Sequence, residues 1–443
     1  MGQSRRRNTD GPKKLPPKVE KGKVIDEDQK KSEVVESGQG GRVSSLKANG
    51  RPQVLDMNMR STYHPTLFNR CKTFFKYFLL IILIPPFLNY ASLQREATHL
   101  KPKVGELYDI GWGQRLFLSC IGKGAPTVIL DAPTGMSSDV WFLVQQKVAK
   151  YTKVCIYDRG GLGFSDRPVY VRSNTTEPTE EEKEDDPTEE ESFFSRKSSG
   201  SRWAEFTVER MADDLSKLIT VSSEQPKPFI LVGSEMGALV ARFYTQLYES
   251  DVSDVILVDP LVENLFTHDS GVWSQFWFGH LLPSFQSLQL AAATGLTRIA
   301  LLFHLIEQPI TGNLVPEEVI TRQKHLLCHP RHLSSVVDEH HFINDSFAQI
   351  SLLYNMKSFP SNVSVTVITG NYYDEQLPSA LNKAWAKSNQ HLISTLHPQS
   401  KYIVVNGGDH RMLYRMPDAI SDPIIRTVKQ YKASKAKTKP QEK

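Results

Sequence analysis

Phe229-Ile230-Leu231-Val232-Gly233-Ser234-Glu235-Met236-Gly237 is a continuous apolar run that breaks at a pair of glycines, and a helix-period pattern from Gly237 to Tyr248 follows at once. An uninterrupted apolar run of this length reads as a strand covered on both faces, unlike the alternation of a half-solvated strand. Glycines two residues before and two after position 235 leave room for a very tight strand-to-helix turn. Runs of the same kind recur at Arg115 to Ile121, Thr127 to Asp131, Lys153 to Tyr157, Asp254 to Asp259, Val363 to Thr369 and Lys401 to Val405. Helical patterns such as Val208 to Ile219 lie between several of them. The alternation predicts an α/β fold: a mostly parallel, doubly wound sheet with helices on both faces.

Length and composition agree. The chain has 443 residues, 40% hydrophobic, 23% charged and 9% aromatic, which is ordinary globular usage and excludes collagen-like, mucin-like and small disulfide-scaffold classes. The net charge of +4 is uneven: residues 1 to 76 hold 17 Lys or Arg against 8 Asp or Glu. Residues 1–72 lack any sustained apolar period and read as a disordered basic tail. Its Arg5-Arg6-Arg7 cluster reads as solvated, so no nucleic-acid partner is expected, and Arg6 breaks the Met1-Gly2 myristoylation pattern, which wants Ser or Thr at that place.

The character then changes. Residues 73–93 read as a transmembrane segment, in which Tyr77 to Leu93 carries no charge; Lys76 can snorkel, and Pro85-Pro86 should kink the helix. Arg60, Arg70, Lys72 and Lys76 before the span, against Arg95, Lys101 and Lys103 after it, set the N-terminus in the cytosol. The folded domain, residues 104–430, is then lumenal or extracellular, at the endoplasmic reticulum or the cell surface. Asn174, Asn344 and Asn362 each open an N-x-S/T glycosylation acceptor there. Residues 171–202 form an acidic insertion expected to be disordered, residues 261–355 a helical cap and residues 431–443 a basic tail. Cys71, Cys120, Cys155 and Cys328 have neither disulfide-framework nor zinc spacing, and the adjacent His340-His341 lacks companion ligands, so no metal or other cofactor is expected.

Five segments occur in a telling order: Thr127 to Gly135, Tyr157-Asp158-Arg159-Gly160-Gly161-Leu162-Gly163-Phe164-Ser165-Asp166, Leu231 to Gly237, Val255 to Pro260, and Gly407-Gly408-Asp409-His410. In that order and spacing the chain resembles the α/β-hydrolase superfamily over roughly residues 104 to 430, and the resemblance implies that the mostly parallel α/β sheet has eight strands. The resemblance implies a nucleophile at the centre of Gly233-Ser234-Glu235-Met236-Gly237, where this chain carries Glu235 in place of Ser. It implies His410 as the catalytic base, Asp374 as its acid with Asp259 as the fallback, and backbone N–H groups of Thr134 and Met236 as an oxyanion hole. Pro133 stands where the superfamily has glycine beside that hole. Ser234 would serve as nucleophile only in a shifted turn flanked by bulky Val232 and Met236.

A carboxylate at the elbow changes the chemistry. As a nucleophile on an ester, Glu235 would form a mixed anhydride and place a negative charge beside the developing oxyanion. Two functions are therefore expected. In the first, a membrane-anchored protein has lost serine-hydrolase activity and serves as a binding or interaction module, with lipid, an apolar small molecule under the cap, or another protein as partners. In the second, a hydrolase of an apolar ester- or epoxide-like substrate uses Glu235 or Ser234 with His410.

Overall fold

The computed structural model describes residues 67–168, 206–223, 225–371 and 377–438. Most of the expected basic tail and all of the acidic insertion lie outside these residues, as do Asn174 and Asp374. Eight strands form one sheet: β1 (Glu106–Asp109), β2 (Arg115–Ile121), β3 (Thr127–Asp131), β4 (Val154–Tyr157), β5 (Phe229–Glu235), β6 (Val252–Pro260), β7 (Ser364–Gly370) and β8 (Lys401–Val405). Their spatial order is β1-β2-β4-β3-β5-β6-β7-β8. The sheet is mixed: β2 runs antiparallel to both β1 and β4, and the pairs from β4 to β8 are parallel. All seven predicted apolar runs are strands. The eighth, β1, is a four-residue edge strand with charged ends and no apolar run.

Helices cover both faces. On one side α3 (Val208–Ser222) and α4 (Met236–Leu247) bury Leu215, Leu218, Leu239 and Phe243 against Leu231, Val255 and Leu257. On the other, α2 (Phe142–Val148) and α13 (Pro417–Thr438) bring Val144, Ile420, Ile424 and Val428 against Val128, Val232 and Ile256. Successive residues such as Leu231 and Val232 thus feed opposite cores, which is why the strands read as unbroken apolar runs. Cys120 and Cys155 face each other in the β2–β4 register and form a disulfide, a pairing their sequence spacing did not announce.

Between β6 and β7 the chain builds the cap: α5 (Val272–Phe276), α6 (Leu282–Ala293), α7 (Leu296–Leu302), α8 (Glu317–Leu327), α9 (Pro330–His341) and α10 (Ile343–Met356). The aromatic and aliphatic residues of the cap divide in two. Trp273 and Trp277 are buried in the main core, their indole N–H groups donating to the carbonyls of Leu381 and His340 at 2.8 Å each. Leu290, Leu296, Leu302 and Phe303 instead face outward.

The apolar N-terminal segment is one helix, α1 (Leu67–Leu100), unbroken through Pro85 and Pro86. It starts inside the stretch expected to be disordered and continues past residue 93. By length and composition it can cross a membrane, with a mean hydropathy of 1.6 over its most apolar window. At the other end, residues 431–438 continue α13 where a tail was expected. Lys and Ala are strong helix formers, so an already nucleated helix propagates through Lys432-Ala433-Ser434-Lys435-Ala436-Lys437.

Candidate active site

The chain from β3 forms β4 on one side of it and then crosses to build β5 on the other. Ligands of such sheets bind beyond the carboxyl ends of the strands at that reversal. The loop after β3 and the turn after β5 meet there. Glu235, the last residue of β5 and the N-cap of α4, has φ +45° and ψ −110°, a conformation that non-glycine residues seldom adopt. The flanking glycines permit it: a Cβ at Gly233 would lie 2.0 Å from the Gly237 carbonyl oxygen, and one at Gly237 would lie 2.6 Å from the Asp131 oxygen. Ser234 is buried within β5, its Cα in register with Val258 of β6.

His410 lies in the loop after β8, and its Nδ1 pairs with Asp259 Oδ2. Asp259, next to last in β6, has φ +43°, and its second oxygen accepts from the Trp385 indole N–H at 2.8 Å. The Trp385 ring stands edge-on to the imidazole, 4.9 Å between centroids, on α11 (Ser379–His391). The imidazole is thus held on two sides, and its described acidic partner is the fallback Asp259.

Glu235 completes the arrangement. Its Oε2 accepts the Thr134 backbone N–H at 3.3 Å. Burial is the largest influence on this carboxyl and pushes it above the ordinary Glu range; the His410 charge opposes that rise and Asp259 adds to it. One of the two expected oxyanion donors therefore points at the side chain in the nucleophile position. Met236, the source of the second, is fully buried at the first position of α4.

The loop carrying Thr134 is fixed from below and above by one buried guanidinium. Arg159 donates to Asp131 Oδ1 and the Ala132 carbonyl, both at 2.6 Å, and to the Pro133 carbonyl at 2.8 Å. It also pairs with both oxygens of Glu339 on α9, 2.8 Å each. Glu339, itself fully buried, accepts the Gly135 N–H at 2.8 Å. The cap is therefore wired to the loop that carries Thr134 by charge and hydrogen bonds rather than lying loosely over it. In the same segment Asp158 holds the turn after β4 by accepting from Ser138 N at 2.7 Å and Phe164 N at 2.9 Å. The role of Arg159 in the site, and its partner Glu339 180 residues away, carried no local signal.

A cavity of about 280 Å³ opens beside the His410–Asp259 pair, lined among others by Asn371, Asn382, Asn389 and Tyr402. Among the described residues, no cluster of His, Cys, Asp or Glu could hold a metal ion.

Sheet order, elbow and cap together define an α/β-hydrolase fold. Residues 123–293 match the family model described as the alpha/beta hydrolase fold. The chain is similar to the solved structure of Cfl2 from Burkholderia cenocepacia, at 15% identity and TM-score 0.51 over 73% of this chain and 95% of that one. It is also similar to epoxide hydrolase VrEH1 from Vigna radiata, at 14% identity and TM-score 0.52 over 74% and 99%. The Cif epoxide hydrolase from Acinetobacter nosocomialis is comparable, at 13% identity and TM-score 0.52 over 76% and 95%. At these identities the likeness is one of fold. No curated protein matches the sequence.

Proposed function

We propose that this chain is a membrane-anchored α/β-hydrolase-fold protein that lacks serine-hydrolase activity and acts as a binding or interaction module. The observation that carries the reading is the contact of Glu235 Oε2 with Thr134 N. A carboxylate there occupies the donor that an acyl-transfer oxyanion needs, and its charge opposes a second anion at the same place. Ser234 supports no alternative, since it is buried in β5 while the positive φ belongs to Glu235. A fluorophosphonate probe, which reacts only with an activated serine, is expected to leave the chain unlabelled; a labelled serine would overturn the reading.

Anchoring rests on α1 and its exposed apolar surface. A lumenal or extracellular domain is supported by the Cys120–Cys155 disulfide, a bond that persists in oxidising compartments. The exposed acceptor at Asn362 fits the same side.

A second reading is favoured by the oriented His410–Asp259 pair, which a pure scaffold does not require. In that reading the Glu235 carboxylate attacks an sp³ carbon of an epoxide, forming an ester as the C–O bond of the ring breaks and the ring oxygen takes a proton. His410 then directs water onto the ester, releasing a diol and regenerating Glu235. Mass-spectrometric capture of an alkylated Glu235 after epoxide treatment distinguishes this enzyme from the inactive module.

A further inference from the structure

The helix α1 has two halves with different surroundings. Its docked stripe, Pro85, Pro86, Asn89, Ser92, Leu93 and Glu96, recurs at helical spacing on one face. Asn89 is buried and donates to the carbonyls of Ala292 and Cys328 at 2.9 and 3.0 Å. Arg298 pairs with both oxygens of Glu96, at 2.7 and 3.0 Å, and donates to Asn89 Oδ1 at 3.1 Å. Gly295 sits so close that a Cβ there would lie 2.5 Å from the Pro85 carbonyl oxygen. The α6–α7 junction is therefore pressed against α1 at residues 85 to 89.

Length makes this contact consequential. Before the docked half, the apolar part of α1 free of the cap runs from Phe74 to Ile84, or roughly 16 Å at 1.5 Å per residue. A hydrocarbon core is ~30 Å thick. The free stretch reaches about half of that depth, and the remaining apolar residues, Phe87, Leu88 and Tyr90, share the helix with the docked stripe. For α1 to sit in a bilayer with those residues in lipid, the cap beside them must go down too.

The cap is built for that. From Leu281 to Phe303 the only charged residue is Arg298, and its charge is spent on Glu96. The outward residues are Leu290 (67% exposed), Leu296 (53%), Ile299 (40%), Leu302 (74%), Phe303 (67%) and Leu305 (75%). An apolar face of this kind, continuous with an apolar helix, marks an interaction surface rather than ordinary scatter. Resting on the anchoring reading above, we infer that the α6–α7 face lies in the membrane interface beside α1, its side chains among lipid acyl chains. The protein then holds the bilayer at two places, and the cap and the site wired to it through Glu339 keep a fixed orientation to the membrane surface.

The test uses the full chain with Cys71→Ser in phosphatidylcholine nanodiscs, carrying one fluorophore-labelled cysteine at Ile82→Cys, Phe303→Cys or Thr220→Cys. All three positions are exposed. The quencher is a lipid with a nitroxide on its acyl chain. The expected result is strong quenching at 82, quenching at 303 close to it, and severalfold less at 220 on α3, since interfacial faces sink ~5–10 Å into the headgroup and acyl boundary. Quenching at 82 with 303 matching 220 overturns the inference and leaves the anchor intact. Absence of quenching at both 82 and 303 overturns both. Self-quenching between labels at 303 without lipid quenching assigns the face to a second copy of the chain and also overturns it.

Discussion

The Thr134 backbone N–H donates to the Glu235 carboxylate across 3.3 Å, from the loop after β3 to the turn after β5. The same N–H is the donor that an acyl-transfer site keeps open for its transition state. On the proposed reading, Glu235 stands in for the serine and also fills part of the space where charge would develop, so one side chain removes two requirements of ester hydrolysis.

Replacing Glu235 tests that double effect. Glu235→Ser shortens the side chain, frees Thr134 N and places a hydroxyl at the strained turn near the His410–Asp259 pair. Fluorophosphonate labelling is expected to appear, with p-nitrophenyl ester hydrolysis roughly 10²-fold above Glu235→Ala, the scale of general-base assistance. Equal rates for the Ser and Ala variants would place the block elsewhere, with Pro133 and its locked φ the first suspect.

Arg159, Asp131 and Glu339 are all buried, so their charges have no solvent to fall back on. Glu339→Gln removes one counter-charge and leaves the guanidinium short of a partner, for which about 3–5 kcal/mol of stability is expected to be lost. The measurement is denaturant unfolding of the detergent-solubilised chain. Glu318→Gln, at an exposed pair with Lys103, is expected to change stability by less than about 1 kcal/mol. A similar small change at Glu339 would show that the cap is not fastened through this network.

Much of this architecture is written locally. The elbow is legible because Gly233 and Gly237 answer a steric demand within five residues, and the strands because both of their faces are buried. What joins distant parts is not. Glu339 meets Arg159 across 180 residues, and His410 meets Asp259 across 151, so only the folded sheet brings them together. The stripe from Leu288 to Phe303 reads as apolar either way, and sequence cannot say that it faces out while Trp273 and Trp277 face in. A short edge strand such as β1 has too little apolar contrast to stand out.

Three buried imidazoles give the fold a direction of pH dependence. Burial, the largest influence on each, lowers His332 to about 3, His340 to about 4 and His397 to about 3. Their folded values lie below the unfolded value near 6.5, so the unfolded chain binds more protons as pH falls through that range. Their contribution to stability is full above about pH 6.5 and is lost progressively toward pH 4. His329, lowered to about 4 by burial, adds to that loss, while Asp158, raised to about 6 by burial, opposes it over the same interval. His340→Phe should therefore lose less melting temperature than the wild type between pH 7 and 4.5, and an equal loss in both would mean that the His340 ring is solvated.

The two described glycosylation acceptors differ in their surroundings. Asn362 and Ser364 are both exposed, in the turn leading into β7. Asn344 is exposed on α10, but its Ser346 is fully buried, with its hydroxyl oxygen accepting the Val208 N–H at 3.1 Å. Of these two, Asn362 is therefore the one expected to carry a glycan on a lumenal domain. With Asn174→Gln removing the third acceptor, peptide N-glycosidase should increase the gel mobility of the chain, and adding Asn362→Gln should remove most of that shift, while adding Asn344→Gln leaves it. An unglycosylated chain whose C-terminal domain is digested by protease added to intact microsomes would place that domain in the cytosol and reverse the topology.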